Sequence, residues 1–144
     1  MERSRRFLLF LWFLALLASA CSSPTEPTPA SADPVAVLLF PANGAVLDNG
    51  CLTRTDPIIW EFDWSDVPDA ARYHLLVQRL GASVPVIDVF TSDSSYRYVS
   101  PGAYVIEQNR SDWQWKVEAE VHLVFGGYGE TRTFSLEPLG ADCS

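Results

Sequence analysis

Two histidines, three cysteines and a few clustered carboxylates are the residues of this 144-residue chain whose chemistry could build a site. A metal centre needs several converging ligands, and a nucleophilic triad needs a nucleophile, a base and an orienting group. No spacing brings such a set around His74 or His122, so both read as surface histidines of strands. Asp63, Asp66 and Asp69 in "DWSDVPDA" recur every third residue. Carboxylates crowded in a loop can hold Ca²⁺, but the EF-hand pattern and its turn glycine are missing. Asp66 and Asp69 therefore read as turn residues, exposed in a candidate binding loop. Glu118 and Glu120 could suggest a glycosidase pair. They lie two apart in an alternating segment, which a solvated sheet face explains. No enzyme, cofactor or metal site is expected. The remaining candidate is "FGGYGE", Phe125 to Glu130. Gly127 and its neighbours make the backbone permissive, and Tyr128 either stands at the tip as a recognition anchor or packs back on the sandwich edge.

These residues must be positioned, and the chain first says where. Residues 1–20 carry Arg3, Arg5 and Arg6, then the apolar run Phe7 to Leu17, then small residues. That is a secretory signal, too short to span a bilayer comfortably. It ends in "ASAC", which resembles the lipobox of bacterial lipoproteins, although the position three before Cys21 is Ala18 where the family prefers Leu. The resemblance implies lipidation at Cys21. It also implies that Ser22 permits sorting to the outer membrane. "ASA" satisfies the A-x-A rule too, so cleavage to a soluble secreted form is the alternative. Residues 21–34 supply the cysteine and the linker "SSPTEPTPASADP", whose four prolines keep it extended.

Removing the signal takes three of ten basic and one of eighteen acidic residues, leaving seven against seventeen, a net of −10. Such a surface excludes nucleic acid as a partner, because phosphates demand Lys and Arg. If Cys21 is acylated, Cys51 and Cys143 remain in an oxidising compartment as the one intramolecular pair. A bridge between them closes about 90 residues and is worth about 4–5 kcal/mol in the chain-entropy model.

Residues 35–144 read as one domain of strands. In "PIIWEFDWS", Ile58, Trp60, Phe62 and Trp64 point one way, Glu61 and Asp63 the other. In "ARYHLLVQRL", Tyr73, Leu75 and Val77 share a face; in "DWQWKVEAEV", Trp113, Trp115, Val117, Ala119 and Val121 do. "VLLF", "VPVIDVF", "SSYRYV" and "ETRTFSLEP" complete seven short strands separated by turn signals. An all-β, seven-stranded antiparallel sandwich is predicted.

"LLFPANGAVLD", "FDWSDVPDAARYHLLV", "WKVEA" and "ETRTFSL" together resemble a fibronectin type III domain of the kind found in bacterial surface lipoproteins, over Val35 to Pro138. The resemblance implies an immunoglobulin-like sandwich with Trp64, Tyr73 and Trp115 in its core. The family's corner tyrosine is replaced by Trp113, which has no hydroxyl to bond the backbone. The implied function is that of a membrane-anchored, non-catalytic interaction module of the bacterial cell envelope. It would bind a protein or glycan partner through an open sheet edge or loops carrying Asp66, Asp69, Gly127 and Tyr128. The other readings are a structural spacer and a carbohydrate-binding accessory domain, for which Tyr96, Tyr98 and Tyr128 are the candidate rings.

Overall fold

A computed structural model describes residues 35–50, 57–100 and 104–139. Its strands are β1 (Leu38–Phe40), β2 (Ala45–Leu47), β3 (Ile58–Trp64), β4 (Ala70–Arg79), β5 (Ile87–Thr91), β6 (Ser95–Ser100), β7 (Trp113–Val121), β8 (Val124–Phe125) and β9 (Arg132–Leu136). They form two sheets, ordered β1-β3-β6 and β2-β9-β7-β4-β5, with β8 on the edge of β7. This is an all-β immunoglobulin-like sandwich, as the sequence predicts. The alternating residues of β3, β4 and β7 interlock between the sheets. Trp60, Phe62, Trp64, Tyr73, Leu75, Val77, Trp115 and Val117 are buried. The Phe62 ring lies 5.3 Å from that of Trp115, and the Trp60 ring 5.5 Å from that of Trp113.

The described residues hold nine strands where the sequence predicts seven, and one pairing is parallel. Pro41 has no N–H to extend the β1 ladder. Gly44, at φ 77°, turns the chain, and its N–H donates to Thr133 O at 2.7 Å. The first predicted strand thus splits. β1 stays antiparallel on β3, and β2 crosses to run parallel along β9, Leu47 opposite Leu136. Arg132 donates to the carbonyls of Leu39 and Pro41 across this switch.

Asn49, read in the sequence only as part of the turn "DNG", is fully buried. Its amide donates to Val105 O at 2.9 Å and Glu137 O at 3.1 Å, and its Oδ1 accepts from Val105 N at 2.8 Å. One side chain thus ties the chain after β2 to the β6–β7 connection and to the end of β9. Trp113 corrects another expectation. Its indole N–H donates to Asn109 O at 2.7 Å, four residues upstream, so the backbone contact of a corner tyrosine is made without a hydroxyl.

Removing one partner from a buried network leaves the others unsatisfied at about 1–3 kcal/mol each. Asn49→Ala should therefore lower unfolding stability by about 3 kcal/mol. Asn43→Ala, which breaks exposed bonds to Thr133, should cost about 1 kcal/mol or less. Urea midpoints with unchanged slopes would read both; equal shifts would contradict the role given to Asn49.

Candidate functional site

The sequence-predicted site residues fall in two places. Asp66 and Asp69 are exposed in the β3–β4 loop, and Asp69 holds φ 61°. The loop is fixed from below, where the N–H of buried Val67 donates to Tyr73 Oη at 2.8 Å. Asp63 lies back on β3 opposite Ser95. No group of three metal-ligating side chains converges among the described residues.

The glycine-rich segment is not where the sequence puts it. β7 turns into β8 through His122 and Leu123, so that two-residue turn is the tip, and "FGGYGE" runs back beside β7. Gly127 takes φ 85°, and Tyr128 is folded onto the outer face of the larger sheet. Of the two placements open to Tyr128, the structure takes the packed one. His122 lies in the turn and not on a strand.

Tyr128 lands on a cluster that the sequence assigns to solvent. His74 does face outward from β4, but its side chain is only 15% exposed. Its Nδ1 lies 2.9 Å from Tyr128 Oη and 3.0 Å from Glu118 Oε1; its Nε2 lies 2.7 Å from Asp88 Oδ1. The Phe90 ring stacks on the imidazole at 4.4 Å. Arg72 pairs with Glu120 and lies over Phe90 at 4.9 Å and Phe125 at 5.6 Å. Lys116 Nζ sits 4.1 Å above the Tyr128 ring. Glu120 is 5% exposed, so the solvated-face reading of Glu118 and Glu120 gives way to a covered one. The cause is register. Tyr73↔Thr91 and Tyr73↔Ala119 set β5 and β7 either side of β4, which lines up His74, Phe90 and Glu118 in one row. The two carboxylates approach opposite ring nitrogens and do not share a point at which a cation could sit.

Burial, then the charge of Glu118 and a hydrogen bond to it, then the charge of Asp88, push the Tyr128 phenol up from 10.0 to about 12. The ring is held as a neutral donor or acceptor beside His74. Phe90 is the open element of the cluster, 54% exposed and fixed between an imidazole and a guanidinium. It sits on β5, which pairs with β4 on one side and with no strand on the other among the described residues.

The three tyrosines weighed as a sugar platform are separated. Tyr96 and Tyr98 pack against the core, with Tyr98 5.3 Å from Trp60, while Tyr128 lies on the outside of the other sheet. Cys21, Cys51 and Cys143 lie outside the described residues, as do the signal and linker, residues 1–34.

No protein-family model matches the sequence, and no curated protein matches it. Among solved structures, it is similar to a Fn3-like protein from Clostridium thermocellum, at 19% identity and a TM-score of 0.43, over 76% of this chain and 99% of that one.

The raised phenol makes a signed prediction. Between about pH 10 and about pH 12 the unfolded chain has lost a proton that the folded chain keeps, so stability falls as pH rises. The contribution is fully present below pH 10. Tyr128→Phe should flatten that part of the alkaline loss while leaving the profile below pH 10 unchanged in slope. Urea unfolding of both proteins at a series of alkaline pH values tests this; identical alkaline slopes would sink it.

Proposed function

We propose that the chain is a membrane-anchored, non-catalytic interaction module of the bacterial cell envelope. It is lipidated at Cys21, sorted to the outer membrane, and takes an extended segment of a protein partner along the free edge of β5. The observation that carries this reading is Phe90, a half-exposed aromatic ring packed against its neighbours on a strand edge that has no partner among the described residues. Edge strands offer unpaired backbone groups to a partner strand, and rigid aromatic anchors lose little entropy on binding. The loops are the poorer surface. Tyr128 is occupied by His74 and Lys116, and Asp66 and Asp69 lie at the end where the chain comes in from the linker.

The proposed Cys51–Cys143 bridge gains support from the pairing nearby. β2 and β9 run parallel, Glu137 N–H donates to Leu47 O at 3.0 Å, and Asn49 bonds Glu137. Cys51 is two residues beyond Asn49, and Cys143 is six beyond Glu137. The described chain thus ends its approach to both cysteines at one end of one strand pair, which is the support for the proposed bridge.

A tagged copy cross-linked in intact cells should bring down a dominant partner, and Phe90→Ala should reduce its recovery about tenfold or more. Asp69→Asn should leave recovery unchanged. The reverse pattern would move the site to the loops, and recovery of the tagged protein alone would make it a spacer. Cys21→Ser should shift the protein from membrane to soluble fractions. A non-reducing peptide map should contain a Cys51–Cys143 linked pair; two free thiols would remove the bridge.

A further inference from the structure

The turn after β7 has a shape that its residue types do not favour. His122 and Leu123 take φ 52° and 67° in succession. A two-residue hairpin turn of type I′ takes positive φ at both positions and is normally made by Asn, Asp or Gly. A leucine there is an outlier, and such outliers point to function when the fold does not repay them. The hairpin needs the turn but not a leucine in it: Leu123 is 86% exposed and Val124 66%. A single exposed leucine is ordinary. One displayed on a strained turn beside a second apolar residue is not.

The topology says what lies opposite. β1 is antiparallel to β3, so it starts where β3 ends, and Val37 O accepts from Ser65 N–H in the β3–β4 loop. β4 starts at Ala70, which pairs with Val121 at the end of β7. The point where the chain enters the domain, the β3–β4 loop and the β7–β8 turn therefore share one end. Val35 and Val37 are exposed there as well. Thirteen residues lie between Cys21 and Val35, and a proline-rich linker of that length, extended as the sequence predicts, reaches about 40 Å at most.

We propose that Leu123 and Val124 form a second membrane contact, entering the surface of a zwitterionic bilayer and orienting the sandwich with this end toward it. The proposal rests on the lipid-anchored reading. The pair offers no side-chain hydrogen-bonding group, which suits acyl chains. Asp66 and Asp69 nearby disfavour an anionic surface. The tether supplies a high local concentration, so burial of two side chains suffices where it would fail for a free protein.

The test holds the processed chain, from residue 21, on phosphatidylcholine vesicles through an N-terminal hexahistidine and a chelator lipid, with Cys21→Ser. Benzoylphenylalanine is placed at position 123 or at position 80. Leu80 is also an exposed leucine, but it follows β4 at the opposite end. Lipid adducts at 123 should exceed those at 80 about tenfold. With the photoreactive group moved to position 124, Leu123→Gly should raise the melting temperature by relieving the turn and cut the adducts about tenfold. Equal or absent adducts at 123 and 80 would overturn the proposal. Because the chelator replaces the acyl anchor, adducts at 123 support the tip whether or not Cys21 proves to be acylated. Fractionation of the native protein against Cys21→Ser decides the anchor separately.

Discussion

The contact on which the rest depends is the layer of rings between the sheets. Trp60 and Phe62 of β3 meet Trp113 and Trp115 of β7 and Phe134 of β9, with ring centres 5.3–6.2 Å apart, and Trp64 meets Tyr73 of β4 at 5.6 Å. A strand has a side-chain period of two, so committing these residues inward commits their neighbours outward. On β7 those neighbours are Lys116, Glu118 and Glu120; on β4 they are Arg72 and His74. The outer cluster is thus a consequence of the core. Its members are aligned by the register that the rings enforce, and a one-residue slip would reverse every one of them.

That dependence explains what the sequence makes legible. Strict alternation in β3, β4 and β7 is local, and it yields the buried faces residue by residue. Other features are set by partners far along the chain. β2 exists because Thr133 and Leu136 are there to pair with it. Asn49 looks like a turn residue until Val105 and Glu137 come to it from 56 and 88 residues away. Glu118 and Glu120 look solvated until β5 and the segment after β8 cover them. The tip was concealed by the glycines. "GGYG" advertises a turn, yet the turn is made earlier by His122 and Leu123, residue types that carry no such signal.

A short acidic sandwich has few surfaces to spare, and the connections divide them. One end carries the incoming chain at Val35 and the strained turn. The other carries the paired ends of β2 and β9, tied by Asn49. The outside of the larger sheet is filled by its own side chains, with opposite charges and rings satisfying one another. Phe90 breaks that closure, exposed on one side and clamped on the other. It stands on β5, the last strand of its sheet. A surface that is rigid, aromatic and adjacent to unpaired backbone is what an extended peptide requires, because the ring supplies burial and the edge supplies direction. If the end bearing Leu123 is turned toward a bilayer, β5 lies along the side of the sandwich, open to a neighbour in the same envelope. On the proposed reading, anchoring and recognition use different parts of one fold, and the antiparallel order of β1, β3, β4 and β7 is what keeps those parts apart.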